Sequence, residues 1–460
     1  MPSPEGDPAA RSRRRVELEL PLDAGAAPFD LEAAVCSHGL FMMAPNRWDP
    51  ASRALVRPLR LASDPAVSLV VRVSRHPARP SDALLVSVLG ADALSPLDQG
   101  SILQRVRRML RLEEDDGRAV AEFQAVHAAA REAGFGRIFR SPTLFEDMVK
   151  CILLCNCQWT RTLSMASALC KLQLELRCSS NAVDIHSRTP PIRERKRKRN
   201  NKRDVRVKLE TKFDEDKLVC PEGPILATGT INSTAHLETY ENSFSSPSVA
   251  SETSSTSEAP LDHSEPRLSG APYLEECTGD FPTPQELANL DEDFLAKRCN
   301  LGYRARRIVM LARSVVEGKV CLQKLEEIRK VSVPSVEGQS TIPSTYERLN
   351  EELSTISGFG PFTRANVLMC MGFFHTIPAD TETVRHLKQF HKRASTIGSI
   401  HKELHNIYGK YAPFQFLAYW FELWGFYNDQ FGKISEMEPI NYRLFTASYL
   451  KKSRKQPPNS

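Results

Sequence analysis

The sequence predicts an α+β fold that is mostly α, with a small N-terminal antiparallel β domain, a helical body and one long disordered insertion. Three observations predict it. Short β-favouring runs at Val16–Leu20, Ala54–Leu61, Val67–Val73 and Ala83–Val88 are broken by Pro, Asp and Gly, as in an antiparallel sheet joined by turns. Beyond Leu89 the strand signal does not return, and apolar residues recur at helical spacing. Between about Leu176 and Thr278 neither pattern holds, and ten of the fifteen residues from Ser243 to Ser257 are Ser or Thr. Such a stretch buries too little apolar surface to offset the entropy of ordering it.

The elements follow in order. Residues 1–15 are Pro/Arg-rich and read as a disordered tail, and 16–100 as the β domain. Residues 101–175 form the first helical part, with helices at Arg105–Arg111 and Arg118–Ala133. A third helix opens at Ser141-Pro142, Ser as N-cap and Pro in the first turn. The insertion occupies 176–278. The helical body resumes over 279–435, with helices at Pro284–Leu290, Asp291–Arg298 and Tyr303–Glu317. After a looser stretch, Val331–Pro343, Ser344-Thr345-Tyr346-Glu347 is a capping box opening a helix to Thr355. Helices are then expected at Pro361–Phe373, Asp380–Phe390, Ile400–Tyr408 and Phe414–Phe426, before a tail at 436–460.

Charge is local. Between Arg193 and Lys208 ten basic residues face two acidic ones, a local +8, while the whole chain carries only +5. This run resembles a nuclear import signal, so the expected location is the nucleus; the alternative is a solvated linker that meets phosphates nonspecifically. No stretch approaches the ~20 apolar residues of a membrane span, and MPSPEGDPAARSRRR has no apolar core behind its basic residues. Eleven cysteines, an odd number, fit free thiols in a reducing compartment.

The chemistry concentrates around Ile356-Ser-Gly358-Phe359-Gly360-Pro361-Phe362-Thr363. One helix ends near Ile356, two glycines allow a tight turn, and Pro361 begins the next helix. The exposed amides of that helix N-terminus can bind a phosphate without any lysine. A bare helix–Gly-x-Gly–helix is also a common structural turn. About twenty residues on comes Pro378-Ala379-Asp380-Thr381-Glu382-Thr383-Val384-Arg385.

Hairpin, apolar helix and Pro-x-Asp-Thr-x-x-x-Arg together resemble the HhH-GPD superfamily of base-excision DNA glycosylases. The resemblance makes Asp380 the catalytic aspartate; the plainer reading is an N-cap, and it can be both. It implies DNA contacts from Gly358, Gly360, Phe362, Thr363 and Arg385. Leu301-Gly-Tyr-Arg-Ala-Arg306 looks like the corresponding segment of 8-oxoguanine glycosylases. Asn156 and Arg161, in Leu153-Leu-Cys-Asn-Cys-Gln-Trp-Thr-Arg161, match residues that fill the gap of an extruded base and contact its orphaned partner. Their alternative is a polar turn between helices.

Two departures refine the expectation. Bifunctional members carry a Schiff-base lysine where this chain has Phe362, and no lysine lies between Glu351 and Leu387. An aromatic there resembles the monofunctional 3-methyladenine glycosylases, so hydrolysis without a lyase step is expected. Tyr419 and Leu423 stand where 8-oxoguanine glycosylases hold their base with Gln and Phe, so that specificity is not carried over. Trp159, Phe362, Tyr419, Trp420 and Trp424 are candidate walls for a flipped base, or simply core.

No Cys follows Cys370, so a four-Cys iron–sulfur cluster after the catalytic helix is not expected. Cys151, Cys155 and Cys157 lack a fourth ligand, and no metal site is assigned. The one cofactor the resemblance allows is a monovalent cation on the hairpin carbonyls. The expected partner of this monomer is double-stranded DNA containing damaged or mismatched bases, with no membrane association. The alternatives are a bifunctional glycosylase/AP lyase using a distant lysine such as Lys388, and a non-catalytic helix-hairpin-helix DNA-binding protein.

Overall fold

Five strands build the sheet: β1 (Arg15–Pro21), β2 (Arg47–Asp49), β3 (Ala54–Arg60), β4 (Ser68–Arg75) and β5 (Ala83–Leu89). The order is β1-β5-β4-β3-β2 and every pair is antiparallel. The computed structural model describes residues 14–22, 29–181, 279–330, 344–396 and 398–445. The Arg193–Lys208 run and the Ser/Thr tract lie outside the described residues, as does 331–343. Side chains alternate across the pleat, so the apolar positions of neighbouring strands fall in register. Leu18, Val86, Val73, Leu55 and Trp48 make one row of directly opposed residues across all five strands, each buried. Pro58 is tolerated within β3 because β2 pairs only as far as Val56.

The next row places a charge on the same face: Val16, Val88, Val71 and then Arg57, which is 1% exposed. A buried guanidinium needs partners. Glu146 supplies them in a two-pronged pair at 2.9 and 3.2 Å, and Asn46 accepts a further bond at 2.8 Å. Lys150 Nζ lies 2.7 Å from Glu146 Oε1, one helical turn on. Burial alone would push the Glu146 carboxyl up, but Arg57 and Lys150 hold it at about 2. This cluster joins the sheet to the helices.

The helices are α1 (Leu31–Val35), α2 (Pro96–Leu110), α3 (Glu114–Val126), α4 (Ala128–Glu132), α5 (Leu144–Leu154), α6 (Trp159–Asn181), α7 (Pro284–Ala288) and α8 (Glu292–Arg298). They continue as α9 (Arg304–Val316), α10 (Leu322–Lys330), α11 (Thr345–Ser354), α12 (Pro361–Met371), α13 (Thr381–Phe390), α14 (Ile400–Tyr408) and α15 (Gln415–Phe431). The fold is therefore α+β and mostly helical. Sheet and helices share one hydrophobic core, so the sheet is a wall of the helical body rather than a unit with a core of its own. No helix among the described residues is long and apolar enough to cross a membrane.

Several local expectations are corrected. The helix expected over 118–133 breaks at His127, whose extended backbone lets its ring cap Ala130 N. α5 is capped by Thr143 rather than Ser141; the Ser141 N–H instead donates to Asp147 Oδ1 at 2.7 Å. α6 runs on to Asn181, and Gly279 packs against it, with Asp280 N donating to Gln173 at 2.9 Å. The segment from 436, expected as a tail, is instead structured as far as Phe445. The 3₁₀ turn Pro439–Leu444 buries Tyr442, Phe445 is buried beside it, and Trp48 Nε1 donates to Ser435 O at 2.8 Å.

Candidate active site

The turn between α11 and α12 forms as the glycines require. Gly358 sits at φ +84°, a region that side chains avoid. A Cβ there would also meet Arg307 Cδ at 2.8 Å. Gly360 is the N-cap of α12 and supplies no side-chain cap, so the first-turn amides are left to an outside acceptor. Beside the hairpin, the guanidinium groups of Arg304 and Arg307 lie 4.6 and 4.8 Å from the centre of the exposed Tyr303 ring. Arg304 and the Tyr303 hydroxyl hold the Cys155 carbonyl. Asn156, next along, is exposed at φ +45°. Arg161 is exposed and donates to Asn300 O at 3.1 Å. Hairpin, Asn156 loop and Tyr303 are thus tied into one polar, cationic face. Gly358→Ala is expected to cost about 1–3 kcal/mol, from the forced φ and the displaced Arg307, with weaker duplex binding. Urea unfolding and a binding isotherm check both.

Next to that face opens a cavity of about 590 Å³. Its walls come from five separate parts of the chain: His38–Leu40, the α5–α6 loop, α12, the stretch Pro378–Glu382, and α15, with Phe445 from the C-terminal segment closing it. Six expected residues meet there: Trp159, Phe362, Asp380, Tyr419, Trp420 and Leu423. Asp380 is the N-cap of α13 and accepts the Thr383 N–H at 2.9 Å and the Thr383 hydroxyl at 3.0 Å. Both bonds fall on Oδ1. The Thr383 hydroxyl in turn lies 3.1 Å from the buried Tyr419 hydroxyl, which orders the capping group from behind.

Opposing influences act on the Asp380 carboxyl. Burial raises its pKa above the usual carboxyl value and the Glu382 carboxylate adds to this, while the Thr383 amide and hydroxyl pull it down. His38 is also tuned: burial and Arg111 depress it to about 3, so the ring is neutral. Its Nδ1 accepts the Leu40 N–H at 3.3 Å, which places the proton on Nε2. Trp159 Nε1 is buried without a hydrogen-bond partner, and Gly39 packs so closely that a Cβ would lie 3.1 Å from the indole.

Other expected site residues stand elsewhere. Thr363 is 2% exposed, its hydroxyl 3.1 Å from Cys155 Sγ, so its side chain cannot reach DNA. Arg385 is spent internally: it pairs with Glu382 at 2.9 and 2.5 Å, donates to Gln389 at 2.7 Å and lies over the Phe426 ring. Trp424 is buried between Trp420 and Phe445 and is core. His38, Glu382, Phe416, Tyr427 and Phe445 line the cavity without having been anticipated. Glu382, two residues past Asp380, carried a signal in its carboxylate; the others are brought in only by tertiary packing.

No protein-family model and no curated protein matches the chain. Among solved structures, it is similar to MBOgg1 in complex with a low-affinity DNA ligand, at 16% identity and TM-score 0.46 over 89% of this chain and 96% of that one. It is similar to a 3-methyladenine DNA-glycosylase from Archaeoglobus fulgidus, at 12% identity and TM-score 0.48 over 90% and 99%. An 8-oxoguanine glycosylase/lyase from Clostridium acetobutylicum in its apo form matches at 12% identity and TM-score 0.46 over 89% and 99%.

Proposed function

We propose that the protein is a monofunctional DNA N-glycosylase of base excision repair, which flips a damaged or mismatched base and hydrolyses its N-glycosidic bond. One observation carries this reading: a carboxylate, Asp380, lies in an aromatic-walled cavity beside an uncapped glycine hairpin. The hairpin amides take a backbone phosphate, and the Tyr303 and Asn156 face meets the duplex where the base has left the stack. The flipped base enters among Trp159, Phe362 and Trp420, where stacking offsets the cost of unpairing. The unpaired Trp159 N–H is a donor for an acceptor on the base.

Asp380 Oδ2 faces the sugar while Thr383 holds Oδ1. As the bond breaks, positive charge builds on the sugar ring, and a fixed carboxylate stabilises it and orients the incoming water. No lysine lines the cavity among the described residues. Lys388, about two turns along α13 from Asp380, is exposed and off the cavity wall. A water nucleophile is therefore favoured over a Schiff base. A monovalent cation at the hairpin finds the Phe359 carbonyl already accepting Arg364 at 3.0 Å, and no step is routed through one. The protein acts as a nuclear monomer on double-stranded DNA in this account.

The test uses labelled duplexes carrying 8-oxoguanine, alkylated purines, uracil, hypoxanthine or thymine mismatches. Strand breaks are expected only after alkali, with no adduct trapped by borohydride. Breaks without alkali, or a trapped adduct lost in Lys388→Ala, would overturn the hydrolytic reading.

A further inference from the structure

His386 and His391 are five residues apart, a spacing that on one continuous helix separates two side chains by about 140° around the axis. α13 ends at Phe390, however, and His391 is its C-cap, with φ −101° and ψ 0°. That turn brings both rings to the same carboxylate on α15: His386 Nε2 lies 3.2 Å and His391 Nε2 3.0 Å from Glu422 Oε2. Tyr408, the last residue of α14, puts its hydroxyl on the same oxygen. That hydroxyl is 3.1 Å from His391 Nε2 and 3.4 Å from His386 Nε2.

As hydrogen bonds alone, this arrangement aims three donors at a single carboxylate oxygen. The other nitrogen of His386, Nδ1, is buried with no partner, so the ring is engaged only through Nε2. The distances also have a second meaning. Four of the six separations among these atoms are 3.0–3.4 Å, the edge length of a tetrahedron whose centre lies about 2 Å from each corner, the bond length of zinc to imidazole nitrogen or carboxylate oxygen. The donor set is nitrogen and oxygen without thiolate, which suits zinc and its neighbours in the first transition row. His391 and Glu422 side chains are 23% and 31% exposed, which gives an ion a way in from solvent.

We propose that His386, His391 and Glu422, with Tyr408 at the fourth corner, form a structural site for one divalent transition-metal ion, zinc fitting best. The ligands are scattered at 386, 391, 408 and 422, without a short motif, which is why the sequence assigned no metal. The ion ties the C-terminal end of α13 to α14 and α15. Asp380 caps the other end of α13, and α15 carries Tyr419, which backs Thr383. The site is independent of the reaction proposed above.

The test takes the full-length chain, stripped by chelator and dialysed, and titrates it with zinc and separately with cobalt(II). Binding of one equivalent is expected, with a cobalt spectrum free of thiolate charge transfer. Affinity should fall at least tenfold in both His391→Gln and Glu422→Gln, substitutions at partly exposed positions. Zinc should raise the melting temperature of wild type by about 5 °C or more at saturating ion and leave both variants unmoved. No binding by wild type would overturn the site and leave a hydrogen-bonded cluster. Binding equal in wild type and variants, or a thiolate signature, would place the ion on cysteines and overturn it too. Should a variant fail to fold, the wild-type stoichiometry and cobalt spectrum still decide.

Discussion

Asp380→Asn is expected to slow base release by about 10²–10³-fold or more, while leaving the protein as stable as wild type at neutral pH, or slightly more so. The two halves of this expectation have separate causes. Asn caps a helix about as well as Asp, and its carbonyl oxygen can accept the Thr383 N–H and hydroxyl that now reach Oδ1. The cap survives. The charge does not, and stabilisation of a cationic sugar depends on it. The sign of the stability effect follows from the raised pKa of Asp380, caused first by burial. A carboxyl with a folded pKa above its unfolded value favours folding at acid pH. That advantage is lost as pH rises through the folded pKa. At pH 7 the ionised form therefore costs stability, and the neutral amide relieves that cost. Melting curves at pH 4 and pH 7 should show the variant gaining relative to wild type as pH rises. A loss of several degrees at pH 7 would mean that the ionised carboxylate stabilises the fold, contrary to the raised pKa.

Glu146→Ala is expected to destabilise the fold by about 3–5 kcal/mol. It leaves Lys150, at 0% exposure, without its carboxylate, and Arg57, at 1%, with only Asp280 at 3.8 Å as counter-charge. The pH dependence runs opposite to that of Asp380. Glu146 is held at about 2, so its contribution is present above the unfolded carboxyl value and is lost as pH falls from about 4.5 through about 2. Urea unfolding of wild type should weaken over that window, and the variant should lack that part of the slope. Replacing Arg57, Glu146 and Lys150 together with apolar residues of similar volume should recover most of the loss. Failure to recover would assign the cluster a geometric role in docking the sheet.

What the sequence revealed depended on how local the cause was. Four strands were legible to within two residues because their alternation and turn residues are local, whereas the three-residue β2 and five-residue α1 were too short to show a period. The capping box at Ser344 and the Gly-Pro start at Gly360-Pro361 marked α11 and α12 correctly. Ser141-Pro142 offered the same kind of signal and was wrong, because Asp147 captures the Ser141 amide and Thr143 takes the cap. Asp380 and Phe362 could be singled out because the ordered run of turn, helix and turn they sit in carries the resemblance to the glycosylase superfamily. His38 and Phe445 could not, since His38 reaches the cavity from 342 residues before Asp380, and Phe445 from a C-terminal segment with no motif of its own. Arg385 is turned to internal partners for a subtler reason. Its spacing from Glu382 and Gln389 already permitted internal pairing on one helix face.

The most direct measurement is single-turnover release of free base by wild type and Asp380→Asn, at equal occupancy of a duplex bearing the preferred lesion. The account predicts release by wild type, an abasic strand that breaks only with alkali, and near-complete loss in the variant with duplex binding retained. Release undiminished in Asp380→Asn would contradict it, as would no release by wild type from any lesion despite intact binding.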